Sequence, residues 1–277
     1  MGKSYFKIMF TIFFAALTVC GVMRIILRLS LIDPATGFYT ATAGIIPTVF
    51  NIIFGAALVA LLILNRLRRG NNDYPVHRRG RALPILAIAA GLSMLAFAWL
   101  GLPDHFGQSG VRSEGWATFV LVFNYAFTTV SGLIMVYAGV HGFVSEKQPS
   151  ALLLIIPPIW QLVLLLSRFN GYFSILYISD NLLIILFMAF ATLFYIGHAR
   201  TLCGFGRKDG RNYVISAGLG TALCGFLSSI PNFIYMIARQ APIPVDEIST
   251  FECLYTLVLS VYALAFVASY AKSIDYV

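Results

Sequence analysis

The stretch AGIIPTVFNIIFGAALVALLIL, residues 43–64, decides the fold, because it is apolar apart from Thr48 and Asn51 and carries no charged side chain. A helix rises about 1.5 Å per residue, so about 20 apolar residues cross the roughly 30 Å hydrocarbon core of a bilayer. No water is present there to pair with backbone N–H and C=O groups, which leaves helices and closed barrels as the structures that can span it. The run lacks the alternation of barrel strands and therefore predicts a transmembrane helix.

Further apolar runs of this length occur along the whole chain. The chain is 59% hydrophobic and 11% charged, whereas a soluble domain carries about 25% charged residues. We therefore predict an all-α, polytopic transmembrane helix bundle in which residues 1–277 form a single integral membrane domain. The predicted spans cover approximately residues 6–27, 43–64, 82–100, 117–140, 151–167, 179–197, 213–237 and 251–271. The fifth is short and contains Pro157 and Pro158, so a full span and a re-entrant segment both remain open.

The distribution of charge predicts the orientation of the bundle. The net charge is +8, and most of the 19 Lys and Arg residues fall on the side of the N-terminus. Cytoplasmic loops of membrane proteins carry such an excess, so we predict that both termini are cytoplasmic and that the protein resides in the cell membrane, either plasma or inner. The basic residues on the predicted outer side are Arg24, Arg28, Arg112, Arg168 and Arg239.

The loop NRLRRGNNDYPVHRRGR, residues 65–81, concentrates positive charge on the predicted inner side. Each basic residue near a bilayer surface gains about 1 kcal/mol from anionic headgroups. We therefore predict membrane lipids as its partner and do not expect nucleic acid; a small solute or a protein partner elsewhere stays unidentified. The predicted headgroup contacts are Arg66, Arg68, Arg69, Arg78, Arg79 and Arg81.

Polar residues inside the predicted spans are concentrated in the outward-facing halves of the helices. In the fourth span, Asn124, Thr128 and Ser131 recur at helical spacing and form one stripe. Intramembrane polar residues are costly, so this bias points to function or to packing. We predict a polar vestibule open to the outside. Its predicted lining is Asn51, Asn124, Thr128, Gln161, Asn232, Glu252 and Thr256, and its predicted mouth is Arg24, Arg28, Asp33, Arg168, Asp180 and Arg239.

The same residues have structural interpretations that the sequence leaves open. Single Ser, Thr and Asn residues often bond between helices, and arginines at helix ends often extend toward headgroups. Asp180 and Glu252 stand at predicted helix starts, where a carboxylate can cap the helix or pair with an arginine. In the seventh span, Ala217, Thr221 and Gly225 form a small-residue stripe that favours close helix contact.

No motif for phosphate binding, metal binding or nucleophilic catalysis is present, so no catalytic residue, cofactor or metal is predicted. Three functions fit the pattern. The first is a transporter or permease for a small polar solute. The second is a non-catalytic sensor, assembly factor or complex subunit whose outer groove holds a lipid or a protein. The third is a transferase acting on lipid-linked substrates at the outer leaflet.

Overall fold

The computed structural model describes residues 2–33, 38–67, 81–101, 115–144, 150–170, 178–203, 210–239 and 248–275. Within these ranges, eight helices are long and apolar enough to cross a membrane, and no strand is present. The predicted all-α polytopic bundle is therefore confirmed. The helices are α1 (Gly2–Ile26, continued by a π-helical turn, Leu27–Leu31), α2 (Ile46–Leu67), α3 (Ala82–Ala96, continued by a π-helical turn, Phe97–Gly101), α4 (Gly115–Val144), α5 (Ala151–Leu154 and Ile156–Asn170), α6 (Ile178–Leu202), α7 (Gly210–Arg239) and α8 (Thr250–Asp275).

The fifth span is one helix with a break in its first turn. Proline has no N–H, so Pro157 and Pro158 cannot bond the carbonyls of Leu153 and Leu154, and the helix is interrupted at Ile155. The remainder is regular, and the whole segment is long and apolar enough to cross a bilayer. The break therefore lies at one end of the span rather than in its middle.

Helix α7 is the centre of the bundle. In its most apolar window 89% of the residues are buried, against 28% in α1. A Cβ atom at Gly225 would collide with Ser260 Oγ of α8, and one at Gly218 would lie 2.5 Å from Val267. The predicted close contact along the small-residue stripe of α7 is thus confirmed.

Contacts between helix ends show that α1 and α7 run in the same direction and that α2 runs in the opposite direction. Arg239 at the end of α7 donates to the carbonyl of Leu29 at the end of α1, at 2.9 Å. At the opposite end, Asn65 of α2 bonds Ser216 of α7. We name the end that holds Leu29 the outer end, after the predicted orientation, and the halves of the bundle the outer and inner halves accordingly.

The described residues on the two sides of the first outer loop, 31–33 and 38–40, pair in an antiparallel arrangement. The N–H of Asp33 donates to the carbonyl of Phe38 at 3.0 Å, and that of Thr40 donates to Leu31 at 2.8 Å, around an antiparallel bridge between Ile32 and Tyr39. This pairing holds the half-buried Asp33 near the outer end of α1.

Most of the predicted headgroup loop lies outside the described residues. Arg66 and Arg81 flank it and are exposed at the inner end. The predictions for Arg68, Arg69, Arg78 and Arg79 lie outside the described residues, as does the side chain of Asp180.

Candidate functional site

The outer half of the bundle contains a group of buried polar and aromatic side chains from α4, α5, α7 and α8. Apart from Arg168, whose side chain is 7% exposed, each residue of the group is at most 2% exposed. We call this group the outer cluster. It consists of Asn124, Thr128, Trp160, Gln161, Arg168, Ser228, Ser229, Asn232, Glu252, Tyr255 and Thr256.

An ion pair closes the cluster at its outer end. Arg168 in the last turn of α5 donates from Nη1 to Oε1 of Glu252 in the first turn of α8. The positions suit the two helix dipoles, since a cation is favoured at a C-terminus and an anion at an N-terminus. Ser249 Oγ accepts the N–H of Glu252 at 3.0 Å and caps α8. The interpretation of Glu252 as an arginine partner is confirmed.

Aromatic rings hold the middle of the cluster in place. The hydroxyl of Tyr255 donates to Gln161 Oε1 at 2.6 Å, and Trp160 Nε1 donates to Thr128 Oγ1 at 2.6 Å. The Tyr255 ring stacks on Phe97, with centroids 5.8 Å apart, and meets the edge of Trp160 at 5.5 Å. These contacts hold the amide of Gln161, which belongs to α5, against Tyr255 of α8.

The stripe predicted on α4 faces the interior. Thr128 Oγ1 donates to the carbonyl of Asn124 at 2.6 Å, and Asn124 Nδ2 donates to Ser167 Oγ at 3.3 Å. Ser131 is also fully buried. Two hydrogen bonds at different depths therefore connect α4 to α5, one from Asn124 to Ser167 and one from Trp160 to Thr128.

Helix α7 brings its polar residues to the level of Glu252. Gly225 lies against Ser260, and the hydroxyl of Thr250 donates to Met236 Sδ at 3.8 Å. These two pairs fix the antiparallel register, which puts Asn232 level with the first turn of α8. Its Nδ2 donates to the carbonyl of Ser228 at 2.9 Å, so its oxygen points away from that bond.

Several buried polar atoms of the cluster have no hydrogen-bond partner among the described residues. An unmatched buried polar group costs about 1–3 kcal/mol, and folded proteins contain few of them. Here they occur on three helices of the outer cluster, and one of them is the second carboxylate oxygen of the ion pair. The atoms are Gln161 Nε2, Ser228 Oγ, Ser229 Oγ, Asn232 Oδ1 and Glu252 Oε2.

The arginines predicted at the mouth are more deeply buried than the sequence indicated. Arg24 is 1% exposed and Arg28 is 3% exposed. The guanidinium of Arg28 lies 4.7 Å from the ring centroid of Tyr235, an attractive cation–π distance. Arg239 is exposed and bonds the end of α1, as described above. Because α1 packs along α7, its two arginines face the bundle instead of the headgroups.

The predicted vestibule differs from the structure in two respects. The side chains expected to line it are enclosed, so the polar interior is closed to the outside here. Asn51 does not belong to the interior, since it is exposed on the outer surface of α2. Phe50 and Phe54 occupy the buried face of that helix. Asn51 follows Phe50, so its side chain is rotated by about 100° around the helix axis from that face. The assignment of Asn51 to the lining is therefore corrected.

The sequence did not indicate a second polar group in the inner half, which was expected to be almost wholly apolar. His198 Nε2 and the hydroxyl of Tyr262 lie 2.6 Å apart, within hydrogen-bond distance, and Asn65 Nδ2 donates to Ser216 Oγ at 3.0 Å. We call Asn65, Tyr195, His198, Ser216 and Tyr262 the inner cluster. The spacing of Tyr195 and His198 on α6, three residues apart, is the sequence signal that identifies one shared face.

The fold and its buried polar interior define a multi-pass integral membrane protein. The chain matches no protein family, no curated protein and no solved structure. Within the described residues, no three His, Cys, Asp or Glu side chains are grouped as metal ligands, and the four cysteines form no disulfide. The chemistry of the two clusters is therefore the basis on which a function is proposed.

Proposed function

We propose that the protein is a transporter of a small zwitterionic solute, which binds in the outer cluster. The observation that carries the proposal is the set of buried polar atoms in the outer cluster that have no partner among the described residues, in the same cluster as the Arg168–Glu252 pair. A bundle selected only for packing gains by pairing or removing such atoms, because each one costs free energy. A solute that bonds them during part of a transport cycle explains why they are retained.

The charges and donors of the cluster select the chemistry of the solute. The Arg168 guanidinium can bind a carboxylate through two parallel N–H bonds. Glu252 Oε2 and Asn232 Oδ1 are acceptors that suit an ammonium group, and Gln161 Nε2 is a further donor. A zwitterion pairs with both ends of the ion pair and brings no net charge into the bilayer, which keeps the desolvation cost low.

The backbone around the cluster has the irregularities that transport sites use. The π-helical turns Leu27–Leu31 and Phe97–Gly101 end α1 and α3 at the outer end, and such turns are frequent at functional sites. Pro231 interrupts the bonding of α7 immediately before Asn232. Irregular helices that line a site near the middle of the membrane are typical of secondary transporters.

Uptake by the purified protein in proteoliposomes tests the proposal. The probe is a panel of radiolabelled zwitterionic amino acids, with a dicarboxylate and a diamine as charge controls. We expect saturable uptake of a zwitterion, and a loss of about tenfold or more in Arg168→Gln, where tenfold corresponds to about 1.4 kcal/mol. Arg239→Gln is the matched control, because that arginine lies at the same end but is exposed and bonds a backbone carbonyl.

Two results would contradict the proposal. Absence of saturable uptake for the whole panel would overturn the transporter, provided that the reconstituted protein remains folded by its thermal transition. Equal uptake by Arg168→Gln and the unmodified protein would show that the solute binds outside the outer cluster.

Transport also requires the closed cluster to open toward the outside. In membranes, a Gln161→Cys variant lacking the native cysteines should react with a membrane-impermeant thiol reagent. Leu259→Cys should not react, because Leu259 is fully buried and lies about one turn further inward on α8 than Tyr255. Protection of both positions would indicate a permanently closed bundle.

A second candidate function, a non-catalytic subunit of a membrane complex, is favoured by the exposed Asn51. An amide on the outer surface of α2 can bond a helix of another protein, and such bonds help transmembrane helices to associate. Cross-linking in native membranes through Asn51→Cys tests this function. Leu92→Cys, exposed on α3, is the control position. Equal cross-linking at both positions would argue against the subunit function.

A further inference from the structure

We propose that four aromatic rings on the inner side of the outer cluster form the floor of the solute site and restrict the solute to amino acids with short, uncharged side chains. This inference rests on the proposed function and concerns which zwitterions the same site accepts. The rings come from four helices, α3, α5, α6 and α8, and each residue is at most 2% exposed. We call them the aromatic floor, which consists of Phe97, Trp160, Phe187 and Tyr255.

Tyr255 is the centre of the aromatic floor. Phe97 stacks on its ring from α3, with centroids 5.8 Å apart and an angle of 12° between the planes. Trp160 of α5 and Phe187 of α6 meet the Tyr255 ring edge-on, at 5.5 and 6.0 Å between centroids. Aromatic rings at these distances are in direct contact. The floor is therefore continuous from α3 through α8 to α5 and α6.

The floor also contacts the two remaining helices of the outer cluster. Trp160 Nε1 donates to Thr128 Oγ1 of α4 at 2.6 Å. A Cβ atom at Gly225 of α7 would lie 3.0 Å from the Phe187 ring. Gly225 is three residues inward of Ser228, so the Phe187 ring lies on the inner side of that serine. Every helix that contributes to the outer cluster therefore contacts the floor.

The floor lies beside the atoms proposed to bind the solute. Tyr255 donates to Gln161 Oε1 at 2.6 Å, so a solute that bonds Nε2 of the same amide lies next to the Tyr255 hydroxyl. Tyr255 is three residues inward of Glu252, which is about 4.5 Å along α8. Carbon atoms in contact stay about 3.5–4.0 Å apart. A methyl or hydroxymethyl side chain fits this depth, whereas an isobutyl or benzyl group requires the ring to move.

The rings of the floor are held in place from several sides. A Cβ atom at Gly101 would lie 3.0 Å from the Phe97 ring and 2.8 Å from Oγ of Ser249, the residue that caps α8. Phe97 is thus enclosed between its own π-helical turn and α8. In a packed interior, moving one ring displaces its neighbours and costs free energy. A solute with a long side chain should therefore bind more weakly than one with a short side chain.

The chemistry of the floor excludes a charged side chain. Its two polar donors are already bonded, the Tyr255 hydroxyl to Gln161 and Trp160 Nε1 to Thr128. The remaining surface of the floor is aromatic carbon. A charge placed against it loses its hydration and gains no counter-charge, which is costly. The floor therefore favours an apolar or small neutral group at this end of the solute.

Helix α6 supplies a matched pair of phenylalanines for a test. Phe187 and Phe194 are both fully buried and lie seven residues apart, which places them on one face of the helix. Phe187 contacts Tyr255 in the floor, whereas Phe194 contacts His198 and Tyr262 in the inner cluster. Replacement by alanine removes the same ring at both positions. Only Phe187→Ala enlarges the proposed site.

The test compares unlabelled alanine and leucine as competitors for the uptake of radiolabelled alanine into proteoliposomes that contain the full chain. In the unmodified protein, alanine should inhibit at least about tenfold more strongly than leucine, because an apolar pocket discriminates by about that much for one methylene. Phe187→Ala and Phe97→Ala should each shift this ratio about tenfold toward leucine. Phe194→Ala should leave it unchanged. A ratio measured within one preparation does not depend on the fraction of folded protein, and Phe187→Leu and Phe97→Leu replace any alanine variant that does not fold.

The outcomes separate the floor from the transporter. A shift toward leucine in the floor variants but not in Phe194→Ala supports the floor. An unchanged ratio in the floor variants, or an equal shift in Phe194→Ala, overturns the floor and leaves the transporter standing. Uptake of leucine by the unmodified protein that equals or exceeds uptake of alanine does the same. Absence of uptake for every zwitterionic amino acid in the unmodified, folded protein overturns the transporter and the floor with it.

Discussion

The outer and inner clusters differ in how well their polar groups are matched, although both are buried. In the inner half, side chains meet in pairs, His198 with Tyr262 and Asn65 with Ser216, and the buried Thr201 Oγ1 of that half has no partner among the described residues. In the outer half, the Arg168–Glu252 pair belongs to a cluster in which several atoms have no partner among the described residues. Both clusters are buried, so burial of polar groups alone does not explain why we propose the site in the outer half; the unmet bonding capacity in the same cluster as a charge is the reason.

This difference has a thermodynamic meaning. Paired groups such as Asn65 and Ser216 contribute to stability, whereas unmatched groups reduce it. Proteins are commonly less stable than they could be at functional sites, where polar groups must stay available to bind a ligand. The outer cluster should therefore respond to substitution differently from the inner cluster, and the following predictions use that contrast.

The largest effect is expected when one partner of the ion pair is removed. Arg168→Met leaves the Glu252 carboxylate buried without its cation, and the free energy of unfolding should fall by about 3–5 kcal/mol. The measurement is unfolding in detergent micelles. Adding Glu252→Leu should restore most of the loss, because no buried charge is then left. A double variant as unstable as the single one would contradict a buried, mutually dependent pair.

A smaller loss is expected at the middle of the outer cluster. Tyr255→Phe keeps the ring contacts with Phe97 and Trp160 but removes the donor to Gln161 Oε1. With one more buried group unmatched, stability should fall by about 1–3 kcal/mol in the same unfolding assay. Tyr137→Phe, at an exposed tyrosine of α4, should change it by less than about 0.5 kcal/mol. Equal effects at the two tyrosines would mean that the Gln161 bond contributes nothing.

At the inner cluster, Ser216→Ala removes the acceptor of Asn65 Nδ2. The loss of one neutral hydrogen bond should lower the free energy of unfolding by about 1 kcal/mol. Amino-acid uptake should be unaffected, because Ser216 lies in the half of the bundle away from the proposed site. Reduced uptake at normal stability would extend the site into the inner half.

The smallest effect on stability is expected at Ser229, which is the outer counterpart of Ser216. Its hydroxyl has no partner among the described residues, so Ser229→Ala should change stability by less than about 0.5 kcal/mol or raise it slightly. Amino-acid affinity, measured by thermal shift, should fall. A stability loss equal to that of Ser216→Ala would remove the distinction between the clusters.

The number and bounds of the helices were predictable because apolarity over about 20 residues is a local property of the chain. The predicted span 43–64 and the observed Ile46–Leu67 overlap over most of their length, and the shift reflects the 3-10 turn Ala41–Ala43 before α2. The break in α5 also followed from two adjacent prolines. These features depend on neighbouring residues only.

The faces of the helices were harder to predict. When a helix is apolar on all sides, its sequence has no repeating pattern that distinguishes the lipid-facing side from the side facing other helices. The sequence therefore assigned Asn51 to the interior, although Phe50 and Phe54 occupy the buried face. Tyr195 and Tyr262 were missed for a related reason. In the sequence, a single tyrosine within an apolar run looks like an ordinary packing residue, and only the contacts between α6 and α8 reveal a polar partner. The stripe on α4 was correct because several polar residues shared one face.

The enclosure of α7 has a consequence for how this fold can diverge. Helices such as α1 meet lipid along much of their length, and one apolar residue there can replace another freely. Along α7, any change in side-chain volume must be accommodated by neighbours on several helices at once. Sequence drift should therefore accumulate in α1 long before it reaches α7. Distant relatives should be recognised by the spacing of Ala217, Thr221 and Gly225 after their overall similarity has been lost.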